Sequence, residues 1–179
     1  MTPRQAASAS LGALKRVEIE RCLDDFTVRL EVVENTDQLL DHYAKHHGDN
    51  LDMMPYYAML WPSAEALVEY ILEHALDMPH SRVLELGCGL GYPSIVCARM
   101  GASVVATDYH PDCLPLLERN VALNQLKNVE TRCLDWSQVE HAGVDLVLGS
   151  DLLDEVLHLV LWCGQRGGGS HCVLNSLKD

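Results

Sequence analysis

The chain has 179 residues, and 13 Lys and Arg against 26 Asp and Glu give it a formal charge of −13. Hydrophobic residues make up 48% and charged residues 22%, an ordinary globular mixture that excludes wholesale disorder and suits one domain. So acidic a chain is a poor match for nucleic acid, where affinity comes from Lys and Arg neutralising phosphates, and a natural match for basic, lysine-bearing protein segments.

No stretch approaches about 18 uncharged apolar residues, so no membrane partner is expected. The seven cysteines are odd in number and contain no C-x-x-C pair, and most sit in apolar runs. They read as reduced, buried thiols, which makes the cytoplasm the expected compartment, with the nucleus open.

Residues 1–14 are small and polar and read as a loose N-terminus, leaving 15–179 as one domain. Val17, Ile19, Phe26, Val28, Leu30 and Val32 alternate with polar residues around Asp24-Asp25, the pattern of a half-exposed β-hairpin. Asn35-Thr36 can cap a short helix running to about Lys45, and Ser63 can cap the next, which carries Leu67, Tyr70 and Ile71 on one face. At Arg82 the texture changes. Val83-Leu84-Glu85-Leu86 is a short apolar strand running into Gly87-Cys88-Gly89-Leu90-Gly91, and the helix that follows is stopped by Gly101. Ser103–Thr107 is a second strand ending at Asp108. Pro111 starts a helix carrying Leu114, Leu117 and Val121, and Val129–Leu134 and Val144–Leu148 are two more strands. Alternating strands and helices, with near-continuous apolar strands, predict an α/β fold: a doubly wound, mostly parallel sheet preceded by a hairpin and helix.

In an open parallel sheet ligands bind beyond the carboxyl ends of the strands. Those ends carry Glu85 with the glycine turn, Asp108, Asp135-Trp136 and Gly149-Ser150-Asp151. Glycines for close approach, a carboxylate for a diol and an aromatic for a flat ring describe a nucleoside-bearing ligand. The turn spaces its glycines G-x-G-x-G rather than the G-x-G-x-x-G of the dinucleotide fingerprint, while Asp108 suits a ribose in either case.

Leu84 through Gly91 resembles motif I of the seven-strand, S-adenosylmethionine-dependent methyltransferases. With Leu60-Trp61-Pro62-Ser63, Ala106-Thr107-Asp108, Leu134-Asp135-Trp136 and Gly149-Ser150-Asp151, the chain resembles the protein-lysine methyltransferase-like group, methyltransferase family 16, over about residues 25–155. The resemblance implies a Rossmann-like fold with S-adenosylmethionine as cofactor, a cofactor-binding core at about 60–155, and methyl transfer to a protein lysine. It implies that Gly87 and Gly89 let the backbone approach the cofactor, that Glu85 supports the turn and its amino-acid end, and that Asp108 takes the ribose hydroxyls. Asp135 and Trp136 match the adenine side, Ser150 the pocket wall, and Trp61 a position that closes over the cofactor or packs the preceding helix. Cys88 lies inside the turn as a filler of a small space. Asp151 is the expected catalytic residue, orienting the acceptor amine, or else a cap for a following helix.

The chain departs from the group where Asp154 holds a position normally given to tyrosine. Leu152–Trp162 reads as an apolar helix and His171–Leu177 as a strand, so the fold is expected to lack roughly 40 residues of its C-terminal strands and helix. That leaves an uncovered edge through which the chain could self-associate. A cofactor-binding protein without turnover and a small-molecule N-methyltransferase are the alternative functions. No metal is expected: His42 and His46 have an i, i+4 spacing but no third ligand.

Overall fold

The structure, a computed structural model, describes residues 14–47, 53–74, 78–135, 143–152, 158–163 and 171–176. Of the loose segment expected at residues 1–14, residues 1–13 lie outside them, as do Trp136 and Asp154, while Leu14 packs against the core. The alternating segment forms the expected hairpin, β1 (Arg16–Cys22) antiparallel to β2 (Thr27–Val33), with Arg16 opposite Val33 and Cys22 opposite Thr27. The Leu23 amide donates to the Phe26 carbonyl at 2.9 Å and closes the turn over Asp24-Asp25. Alternation sends Val28 and Leu30 inward against Val68, Tyr92, Ile95 and Val96. Complete burial of each contributes about 1.5–3 kcal/mol.

Four α-helices lie among the described residues: α1 (Thr36–His47), α2 (Pro62–Glu73), α3 (Tyr92–Arg99) and α4 (Cys113–Leu123). None is long and apolar enough to cross a membrane. Asn35 caps α1 as expected, its Oδ1 accepting the Gln38 amide at 3.0 Å. Ser63 does not cap α2. Trp61 holds the cap position and Pro62 begins the helix, where its missing N–H is no loss, so Ser63 falls inside the first turn. There its hydroxyl is buried with no hydrogen-bond partner among the described residues. Gly101 ends α3 in the left-handed conformation expected of it, at φ +98°. The fourth helix begins at Cys113 rather than Pro111, with Pro115 still inside its first turn.

The main sheet comprises β3 (Arg82–Leu86), β4 (Ser103–Asp108), β5 (Val129–Cys133), β6 (Leu146–Ser150), β7 (His158–Cys163) and β8 (His171–Ser176), in the order β5-β4-β3-β6-β7-β8. The first four strands in that order are parallel, as expected, and β7 and β8 add on antiparallel. Thus the run expected as a helix from Leu152 to Trp162 supplies β7 instead. A short apolar run carries no periodicity that separates helix from strand, and here the free side of β6 offers a backbone partner. The strand expected near His171 is β8.

Residues Val83, Val104, Leu146 and Leu148 share one face of the sheet and pack under Leu67 and Ile71 of α2 and Cys97 and Ala98 of α3. Further along that face Ala106 meets Leu116 and Leu117 of α4. The strand order places β4 on one side of β3 and β6 on the other. The chain thus winds outward from β3 and then returns past it, and a crevice opens where the winding reverses.

Asn120 of α4 and Asn124, which caps the C-terminus of that helix, hold β2 in place. The Oδ1 of Asn124 accepts the Arg29 amide at 3.0 Å, and its Nδ2 donates to the Arg29 carbonyl at 2.7 Å. One turn earlier, the Oδ1 of Asn120 accepts the Glu31 amide at 2.7 Å, while its Nδ2 donates to the Leu90 carbonyl at 3.0 Å. This ties the hairpin, the glycine turn and α4 into one unit.

Candidate functional site

The loop after β3 turns sharply because Gly87 and Gly89 take left-handed backbone angles, φ +60° and +50°. At Gly89 a Cβ would also come within 3.1 Å of the Tyr57 carbonyl oxygen, so the turn is pressed against the segment before α2. The Cys88 amide donates to the Thr107 carbonyl at 2.9 Å, and the Cys113 thiol donates to the Gly89 carbonyl at 3.2 Å. Gly91 holds the N-cap position of α3.

Asp108 ends β4 and faces this turn. Its Oδ2 accepts the Gly89 amide at 3.0 Å and its Oδ1 accepts the His110 amide at 2.9 Å. Burial raises its carboxyl above the usual range, and the two amide bonds work against that rise. Together with Leu86, Gly87, Thr107, Tyr109 and Leu134, Asp108 lines a cavity beyond the carboxyl ends of β3, β4 and β5. Each carboxylate oxygen has two acceptor lone pairs and spends one on a backbone amide, so the group is fixed from behind and keeps acceptor capacity toward the cavity.

Glu85 sits elsewhere. It shares the face of β3 that carries Val83, is 1% exposed, and its Oε2 accepts the Ser94 hydroxyl of α3. Burial pushes its carboxyl up to about 8; the Ser94 bonds oppose this and nearby Asp108 adds to it. It therefore braces α3 behind the turn and is not among the cavity-lining residues.

Trp61 is half-buried, donates from Nε1 to the Tyr56 carbonyl at 2.9 Å and meets the Tyr56 ring edge-on at 6.1 Å. Asp135, also half-buried, follows the cavity residue Leu134. Ser150 closes β6, and Asp151 beyond it is exposed with a left-handed φ of +57°. Because Gly149 pairs with Leu86, this end of β6 lies beside the glycine turn. The next residue, Leu152, leans into the notch between them: a Cβ on Gly87 would lie 2.6 Å from its Cδ2, and one on Gly149 2.4 Å from its Cδ1.

Sequence reasoning missed several participants. Tyr109 lines the cavity and is 50% exposed; its place directly after the strand-end acid was the available signal. Tyr57 lies under Gly89 within a buried polar group. The Tyr43 hydroxyl donates to the Asp112 Oδ2 at 2.7 Å and contacts the Tyr57 hydroxyl at 3.0 Å. The His110 Nδ1 accepts the Asp112 amide at 3.1 Å. These contacts lock α1 and the segment before α2 onto the loop that follows Asp108.

The profile of a family described as lysine methyltransferase matches residues 55–160. Among curated relatives, the mouse histone-arginine methyltransferase METTL23 is 33% identical over 107 residues, covering 56% of this chain and 42% of that protein. The zebrafish protein N-lysine methyltransferase METTL21A is 35% identical over 104 residues, covering 54% and 47%. The mouse protein-lysine methyltransferase METTL21E is 38% identical over 110 residues, covering 60% and 43%. The chain spans about half the length of these relatives. The fold is like that of the T. thermophilus 16S rRNA N2 G1207 methyltransferase solved with AdoMet and guanosine, with a TM-score of 0.57 at 18% identity over 80% of this chain and 34% of that one. With the profile covering more than half of its length, and the glycine turn, Asp108 and the end of β6 all inside the matched region, the chain belongs to the lysine methyltransferase family.

Proposed function

We propose that the protein transfers a methyl group from S-adenosylmethionine to a nitrogen of a protein substrate, the acceptor being a lysine side chain. The observation that carries this reading is Asp108, held by two backbone amides at the end of β4, with acceptor capacity left toward the cavity it lines. The left-handed turn at Gly87 and Gly89 supports it by leaving a side-chain-free backbone beside that carboxylate. These residues fit an adenosyl group: Asp108 would hold the ribose hydroxyls, the turn would face the chain beyond them, and Asp135 would meet the adenine side. When bound, the cofactor supplies an electrophilic methyl on a sulfonium.

The chain's own task is positioning. A lysine amine has a reference pKa of about 10.4, so presenting it neutral at pH 7 costs about 5 kcal/mol. An acceptor channel that excludes water lowers that cost. Asp151, on the exposed step beyond β6, is proposed to orient the amine through a hydrogen bond. The negative charge supports a basic segment as substrate, and the family description with the METTL21A and METTL21E names supports lysine. The METTL23 name favours arginine as the second reading. The working compartment proposed is the cytoplasm or nucleus, and β8, which ends the sheet among the described residues, is the proposed edge for self-association.

The test is incubation with radiolabelled S-adenosylmethionine and a cell lysate, followed by hydrolysis of the labelled protein. Label in methyl-lysine is the expected result, and Asp151→Asn should slow it. Label in methyl-arginine moves the acceptor to the second reading. Label only in small molecules, or no heat on titration with S-adenosylhomocysteine, overturns the proposal.

A further inference from the structure

Three potential metal donors converge from three elements of the chain. Cys88 lies in the glycine turn, Cys113 is the first residue of α4, and Asp108 ends β4; their ligand atoms all fall within 4.8 Å of one another. Cys88 is 6% exposed and Cys113 fully buried, so the pair is enclosed by protein. We propose that Cys88, Cys113 and Asp108 form a binding site for a thiophilic divalent cation, of the class of Zn²⁺ and Cd²⁺.

The donor set selects the ion. Two sulfurs and one carboxylate oxygen favour Zn²⁺ or Cd²⁺ over Mg²⁺ and Ca²⁺, which take oxygen cages. Tetrahedral zinc, with bonds of about 2.3 Å to sulfur and about 2.0–2.2 Å to oxygen, spaces its ligands about 3.4–3.8 Å apart. The three donors, within 4.8 Å of one another, therefore need to close by at most about 1.4 Å. Asp108 also lines the cavity, so one of the three donors is reached from it.

In the metal-free protein both side chains are neutral thiols. Burial pushes Cys88 up. The hydrogen bond with Cys88 pulls Cys113 down, but burial and the charge of Asp108 outweigh it and leave Cys113 raised too. Binding therefore exchanges two thiol protons for one divalent cation. Two S–H bonds break, two metal–sulfur bonds form, and both protons pass to the buffer, with no change of oxidation state. The ion also draws on the carboxylate that the proposed function assigns to the ribose. Antagonism between metal and cofactor rests on that reading; metal binding does not.

The experiment titrates the whole reduced protein with Cd²⁺ and reads the ultraviolet thiolate-to-cadmium charge-transfer band. The expected result is a plateau at one equivalent, retained in Cys22→Ser and Cys133→Ser and lost in Cys88→Ala and Cys113→Ala. X-ray absorption of the zinc-loaded wild type reads the ligands without any variant, and two sulfurs with oxygen completing the shell are expected. A first shell without sulfur, a band that survives loss of both Cys88 and Cys113, or a band that disappears with Cys133 overturns the proposal. A parallel titration with S-adenosylhomocysteine keeps the two readings apart. Cadmium binding without nucleoside binding defeats the proposed function alone, and nucleoside binding without cadmium binding defeats the metal site alone.

Discussion

Replacing Glu85 with Gln isolates a strand carboxyl that the fold encloses against a helix. Burial drives its pKa from an ordinary 4.5 to about 8, despite the Ser94 hydroxyl that it accepts. The folded protein thus keeps a proton that the unfolded chain releases above pH 4.5. Because the unfolded state binds fewer protons across that interval, this contribution is complete below pH 4.5 and is lost as pH rises through about 8. At about 1.36 kcal/mol per pH unit, the loss approaches about 5 kcal/mol. In a chain of this size that corresponds to roughly 10–15 °C of melting temperature. Glutamine has nearly the same shape, still offers an oxygen to Ser94 and does not titrate. Thermal melts of both proteins from pH 5 to pH 9 therefore isolate the effect in their difference. The wild type should lose ground to Glu85→Gln steadily as pH rises. Two curves running parallel over that range would refute the assignment of a buried, protonated carboxyl.

Two further substitutions probe the turn and its support. Gly89→Ala combines a left-handed backbone with a Cβ 3.1 Å from the Tyr57 carbonyl oxygen, and should cost about 2 kcal/mol or more in a urea melt. It should also weaken S-adenosylhomocysteine binding, and an unchanged melt would contradict the crowding. Tyr43→Phe removes a buried hydroxyl bonded to Asp112 and Tyr57, and should lower stability by about 1–3 kcal/mol. A loss of under about 0.5 kcal/mol would mean that this polar group does not hold α1 to the site.

The central strands were legible because each is buried on both faces and ends in a residue with chemistry. Val83–Leu86 and Ser103–Thr107 read as apolar runs, and Gly87, Gly89 and Asp108 stand where those runs stop. The alternation of β3 also carried a signal that a motif reading passes over. Glu85 has the parity of Val83, so it points toward α3 and away from the cavity. Residues 158–163 were harder, because an apolar run becomes a strand only when a neighbour supplies its hydrogen bonds, and that neighbour is β6. The Cys88, Cys113 and Asp108 cluster was invisible for a similar reason. Its donors come from a turn, a helix start and a strand end, with no shared spacing. Tyr57 belongs to the same class, since only the folded chain brings it under Gly89.

The grip of Asn120 and Asn124 on β2 has a geometric consequence. Residues four apart on a helix rise about 6 Å, and residues two apart on a strand advance about 6.4–6.8 Å. A helix can therefore imitate a neighbouring strand for one such step before the two periods drift apart, and α4 uses that single step to address Arg29 and Glu31. Sliding the hairpin by one residue would swap its inner and outer faces, and sliding it by two would leave an amide without its acceptor. The pair of carboxamides thus works as a vernier, setting the hairpin at the one position where Val28 and Leu30 meet the core.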